Sequence, residues 1–195
     1  MANEGQSIAV NDKSHRKLLA YLRRNNRNVT QNIAIAELAY RTGARVGSIA
    51  QLELDDVLDV DGELLEIVVL RKATVKGKST TRIFLTHEKV REALMAWVQE
   101  RPSIDGVNNL FVTQKGTAYS PKTLSALFEK HFEKAKLHGT SFHGYRRGFA
   151  SNVMAQKNSN IVMLKTLMNH RNINTTARYV ETMDNVLMDI VKEAN

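Results

Sequence analysis

The sequence predicts a mainly α-helical domain with one small antiparallel β-sheet, an α+β fold. Three observations carry that prediction. Apolar residues recur at helical spacing along most of the chain. The period changes only once, to a β-branched run and an alternating one either side of a glycine turn, between about Leu64 and Thr86. Only two prolines occur, Pro102 and Pro121, and no repeat, linker or low-complexity stretch divides the 195 residues.

Each element follows from local signals. Residues 1–11 read as a flexible start. From Asp12 a helix begins, with Leu18, Leu19, Tyr21 and Leu22 as its apolar stripe. A second helix spans about Gln31 to Arg41, with Ile33, Ile35, Leu38 and Ala39, and Gly43 ends it. A third, short helix runs from about Val46 to Leu52. Leu64–Leu70 is short and β-branched and reads as a strand, residues 75–79 as a turn, and Thr80–Thr86 as a second strand. Thr86 caps a helix to about Glu100, and Phe111-Val112 is a brief extended piece. Ser120-Pro121 opens a helix to about Leu137, a cap followed by proline in the first turn. Helices are expected over His143–Ala155, Asn160–Met168, Thr175–Tyr179 and Met183–Lys192.

Composition narrows the partners. The chain has 28 Lys and Arg against 20 Asp and Glu, a net charge of +8, and a pI near 9.8. So basic a domain expects an anionic partner, nucleic acid first. Cysteine is absent, which excludes disulfides, thiolate metal sites and cysteine nucleophiles. No apolar run approaches the roughly 18 residues of a membrane helix. The start, MANEGQSIAVNDKSHRKLL, lacks a charged-then-apolar signal pattern. A soluble, intracellular protein without a membrane partner is expected.

Several residues offer chemistry, and each also has an ordinary reading. Arg45 follows a glycine turn at a helix start, where the dipole disfavours a cation unless an anion is near; it is otherwise a surface arginine. Lys76 lies at the hairpin tip, suited to a phosphate or to edge protection. His143 and Arg146 share a helix face at i, i+3 and can hold a phosphate from two sides. Asn169 tolerates the left-handed conformation, ends a helix and presents His170 at an exposed corner, for binding or for capping. Tyr179 can act as a nucleophile beside cations, or simply pack.

Their order resolves these alternatives. Arg45, Lys76, His143-x-x-Arg146, His170 and Tyr179 in one basic, helical chain resemble the tyrosine recombinase (phage integrase) family over about Gln31 to Thr182. Ile49, Leu52 and Asp56 after Arg45 resemble that family's arginine helix. Lys76 stands at the family's distance from Ile83-Phe84-Leu85, with Lys78 as the rival. His143-Gly144-Tyr145-Arg146-Arg147-Gly148-Phe149-Ala150 resembles the second box, and His170 to Tyr179 has the third-box spacing. Two positions depart from the pattern. Ser48 stands where an acidic residue usually orients the first arginine, and Asn169 where glycine usually precedes the histidine. Only a short stretch precedes Gln31, which resembles the short recombinases of fimbrial phase variation, or a trimmed catalytic domain.

The resemblance implies a tyrosine recombinase catalytic domain over 12–182 and a C-terminal helix over 183–195, whose apolar face of Val186, Leu187, Ile190 and Val191 packs on its own domain or, as in the family, docks on a neighbouring protomer. It implies DNA cleavage by Tyr179 through a 3′-phosphotyrosine bond, without metal or other cofactor. Arg45 and Arg146 would stabilise the non-bridging oxygens, and Lys76 would protonate the leaving oxygen. His143 would assist with the tyrosine proton or brace the phosphate, and His170 would donate a hydrogen bond to the phosphate. Lys78, Lys122, Thr123, Arg147 and Arg178 would contact DNA. Double-stranded DNA, a homo-tetramer on that DNA and an accessory or partner recombinase are the implied partners, and the cytoplasm, at the nucleoid, the implied location. The alternatives are a catalytically weak DNA-binding accessory of the same fold, favoured by Ser48, and type IB topoisomerase-like relaxation.

Overall fold

The computed structural model describes residues 7–25, 27–70 and 81–180, with the side chains of 25 and 178–180 outside the description. The turn expected at 75–79 and the helix expected at Met183–Lys192 lie outside the described residues.

Helix α1, Asp12–Asn25, buries Leu18, Leu19 and Leu22 and turns its Lys and Arg residues to solvent. Asn11 caps it, its Oδ1 accepting from the Ser14 N–H at 2.9 Å. Helix α2, Val29–Thr42, is not the one-sided amphipathic helix its pattern suggests. It packs against α1, against α5 (Glu88–Glu100) and against α7 (Phe142–Met154), and polar residues are buried along with apolar ones. Of these polar groups, Gln31, Glu37 and Thr42 find partners within the fold. Gln31 Oε1 accepts from Val112 N–H at 2.9 Å, and Thr42 Oγ1 donates to Leu38 O at 2.6 Å. Glu37 lies 2.6 Å from Arg41 Nε and 3.3 Å from His15 Nε2. Gly43 ends α2 at φ 60°, the left-handed cap expected of it.

Helix α3, Val46–Ala50, is followed by α4, Leu54–Val57, which the sequence reading missed. Four residues are too few to show a helical period. The α4 capping box, Glu53 with Asp56, was the available signal. Strand β1 is Ile67–Leu70 and β2 is Thr81–Phe84, paired antiparallel with Val69 opposite Arg82. Leu64 bridges back to Leu58 instead of joining the sheet, so β1 begins later than expected. Helix α5 is capped by His87, not Thr86: the His87 ring accepts from Lys89 N–H at 3.2 Å. Trp97 of α5 donates to Leu110 O at 2.8 Å.

Helix α6, Pro121–Lys134, opens on the predicted Ser120 cap. Helices α7, α8 (Ile161–Leu167) and α9 (Ile173–Val180) complete the described chain. Among the described residues the fold is therefore helix-rich with one small antiparallel sheet, as the sequence predicts. The main core gathers residues of α1 to α7, among them Leu22, Leu38, Leu94, Phe128 and Tyr145. A satellite cluster of Ala150, Leu164 and Met168 joins α7 to α8.

Residues 7–10 correct the expectation of a loose start. Ile8 N–H donates to Gly139 O at 2.8 Å, Val10 N–H donates to Gly144 O at 2.9 Å, and Val10 is buried. Helix α7 explains the seat. A Cβ at Gly144 would collide with Ile8 O, and one at Gly148 with Val10 O. Two glycines one turn apart thus open a groove for an extended strand. Helical glycine ordinarily costs about 1 kcal/mol relative to alanine; the buried strap is what that cost obtains.

Candidate active site

The α2–α3 corner places Arg45. After the Gly43 cap the chain extends, and Arg45 is the N-cap of α3 at φ −70°, ψ 144°. Its side chain is exposed, and its Nη2 donates to Asn169 O at 3.2 Å. Helix α7 places His143 and Arg146 one turn apart, as their spacing predicts. Ser141 caps that helix, accepting from His143 N–H at 3.2 Å. Ser141 itself donates to Ser7 Oγ at 2.9 Å, so the N-terminal strap braces the cap.

Arg146 is the centre of the arrangement, only 6 % exposed. Its guanidinium donates to Gly43 O, to Met168 O at 3.1 Å, and to His170 Nε2 at 3.0 Å. Three elements far apart in sequence are thereby tied to one cation: the end of α2, α7, and the turn after α8. A planar fork of fixed donors suits this task, and a lysine could not reach all three acceptors.

His170 is not at an exposed corner. Asn169 does take the predicted left-handed conformation, at φ 51°, but His170 is only 7 % exposed. Arg146 of α7 and Thr176 of α9 cover it. Arginine has no acceptor, so His170 Nε2 must accept and its proton must sit on Nδ1, which faces Thr176 Oγ1 at 3.0 Å. Burial, then the charges of Arg146, Arg45 and His143, hold its pKa down at about 4. His170 is neutral near pH 7. Desolvation and then the Arg146 and Arg147 cations also lower the pKa of the exposed His143.

These residues line one cavity of about 830 Å³. Arg45, His143, Arg146 and His170 meet there, together with Ser48, Thr81, Ser125 and Glu129. The sequence reading did not anticipate Thr81, Ser125 or Glu129, which come from β2 and α6 and share no motif with the arginines. Nor did it anticipate Thr176, although its buried hydroxyl fixes the His170 tautomer. A threonine one turn before the tyrosine was the available signal.

The remaining expected residues divide. Lys76 and Lys78 lie outside the described residues. Tyr179 and Arg178 are placed by backbone on α9, and their side chains lie outside the description. Lys122 is exposed in the first turn of α6. Thr123 is engaged in the α6 capping box, where its Oγ1 accepts from Ser120 N–H at 2.9 Å. Arg147 is half-buried beside the cavity residues.

Comparison with known proteins identifies the family. Residues 10–185 match the phage integrase family. The chain is 26 % identical over 181 residues to a tyrosine recombinase XerC of Treponema denticola, a match covering 85 % of this chain and 56 % of that one. The chain spans about half the length of the curated relatives it matches. A crystal structure of XerA recombinase superposes with a TM-score of 0.80 at 20 % identity, covering all of this chain and 66 % of the other. A XerH recombinase bound to a palindromic difH substrate, after cleavage, superposes at 0.71 with 22 % identity, covering 97 % of this chain and 54 % of that one. These likenesses place the fold among tyrosine recombinase catalytic domains. The chain belongs to the phage integrase family.

Proposed function

We propose, starting from membership of the phage integrase family, that this chain is a site-specific DNA recombinase that cleaves and rejoins strands through Tyr179. The observation that carries the reading is the meeting of Arg45, His143, Arg146 and His170 in one cavity although the sequence separates them widely. Two guanidinium groups and two imidazoles there match the needs of a phosphodiester in a charge-rich transition state.

The chemistry follows from the groups. The Tyr179 oxygen attacks the scissile phosphorus and the bond to the 5′-oxygen breaks. The phenolic proton leaves to a base, for which His143 is placed at the open side of the cavity. The 5′-oxygen takes a proton from a general acid, the role that the resemblance gives Lys76. A second 5′-hydroxyl then attacks the phosphotyrosine bond, so phosphoester energy is retained and no nucleotide is consumed. Arg45 and Arg146 stabilise the non-bridging oxygens. The three acceptors of Arg146 pre-set its geometry, which saves reorganisation at the moment of reaction.

Double-stranded DNA is the substrate, in keeping with the net charge of +8. Two solved relatives are described as bound to difH and to a COC′ core site. A homo-tetramer on DNA, with 183–195 docking between protomers, and an accessory or partner recombinase complete the proposal. Its place of work is the cytoplasm.

The test is adduct trapping. Nicked duplexes from DNA flanking its own gene are incubated with the protein and denatured. A covalent protein–DNA band is expected, and Tyr179→Phe should abolish it. Specific DNA binding with no band would overturn the recombinase reading in favour of an accessory DNA-binding role.

A further inference from the structure

Strand β2 has two edges. One faces β1, where the ladder pairs Ile83 with Val68 and Leu85 N–H reaches Glu66 O at 2.7 Å. Bonded and non-bonded pairs alternate in an antiparallel ladder. The Val69–Arg82 pair is a non-bonded one, so the Arg82 N–H and C=O point away from β1. Such an open edge ordinarily meets water or a further strand.

Here a single side chain meets both groups. Asn169 Oδ1 accepts from Arg82 N–H at 3.0 Å, and Asn169 Nδ2 donates to Arg82 O at 3.0 Å. A carboxamide carries the donor and acceptor of a peptide group, so Asn169 acts as one residue of a third strand. Its orientation is determined: a half-turn of the amide would set donor against donor and acceptor against acceptor.

The backbone of the same residue faces the cavity. Asn169 O accepts from Arg45, and its neighbours Met168 and His170 accept from Arg146. Thr81, next to Arg82, lines that cavity. Glycine, which the family pattern has at this position, would accept the φ of 51° without strain. It would offer nothing to β2.

We infer that Asn169 is a positioning residue: its carboxamide locks the edge of β2, and with it the Thr81 wall of the cavity, to the turn that orients Arg45 and Arg146. The kinetic consequence rests on the recombinase reading, whereas the lock itself does not.

Two variants test it. Asn169→Gly keeps the backbone conformation and removes the carboxamide. Asn169→Asp keeps the acceptor for Arg82 N–H but sets a second oxygen against Arg82 O, and it carries the test if the glycine variant does not fold. Single-turnover cleavage of a nicked duplex at saturating DNA should slow about tenfold in either variant. The DNA concentration for half-saturation should stay within about twofold, because a positioning residue acts on the chemical step. Hydrogen exchange of the Arg82 amide should quicken about tenfold or more in the glycine variant, while the Leu85 amide stays protected. Wild-type cleavage by the glycine variant overturns positioning, as does a defect confined to DNA affinity. Unchanged Arg82 exchange overturns the lock. If the wild-type chain forms no adduct at all, the recombinase reading fails, and Arg82 exchange alone decides the lock.

Discussion

Arg146 holds a charge in the protein interior by bonding to two carbonyl oxygens and an imidazole. Shortening that fork has a calculable effect. Arg146→Lys leaves at least one buried carbonyl without a donor, which costs about 1–3 kcal/mol. Loss of a fixed donor to the transition state should slow cleavage about 10²–10³-fold. Urea unfolding and single-turnover cleavage check the two effects separately, and wild-type stability in the lysine variant would contradict the bonding described. His170 makes a second, pH-dependent prediction. Its pKa falls from 6.5 in the unfolded chain to about 4 in the fold, and His131, buried beside Phe128 and Tyr21, falls to about 4 as well. The unfolded chain therefore takes up these protons first. Stability should fall as pH drops from about 6.5 towards about 4, by up to about tenfold in the folding equilibrium per pH unit for each histidine. His131→Phe should reduce that slope in urea titrations between pH 7 and pH 5, and an unaltered slope would show that this ring does not titrate as described. Arg45, His143, Arg146 and His170 were legible in the sequence because the motif fixes their order. The burial of His170 was not, because a left-handed turn sets the backbone path and says nothing of which helices close over it.

Helix α7 does two jobs on two faces: one presents His143 and Arg146, and the other receives residues 7–10 between Gly144 and Gly148. Adding a methyl group to the second face should displace the strap. Gly148→Ala is expected to destabilise the fold by about 2–4 kcal/mol, since the Cβ meets backbone and cannot be relieved by a rotamer change. Thermal unfolding checks this, and a variant as stable as the parent would show that the strap does not seat there. Elements with a full period or a clear cap were legible, among them α1, α5 and α6. Those defined by contacts were not. The strap at 7–10 is too short for a pattern, and its seat is written as two glycines in a helix more than a hundred residues later. The start of β1 depends on Leu64 pairing with Leu58, which the run of apolar residues conceals.

On the proposed function, the basic balance of the molecule would set its behaviour toward DNA. Affinity for a duplex should fall steeply with salt, with a slope in log–log form of about −0.9 per phosphate neutralised. A salt-independent affinity in fluorescence titrations would point to a partner other than the DNA backbone. The C-terminal segment supplies a further separation of properties. Removal of residues 184–195 should leave the unfolding midpoint nearly unchanged and abolish strand exchange between two sites. Full exchange by the truncated protein would refute docking on a neighbouring protomer. The strap adds a mechanical property. Ser7 touches the cap of α7, and three peptide bonds further on the chain is stitched to Gly144. A force applied at Ser7 therefore bears directly on helix α7. It pulls on the helix that carries His143 and Arg146, so tension at Ser7 reaches the wall of the cavity that they line.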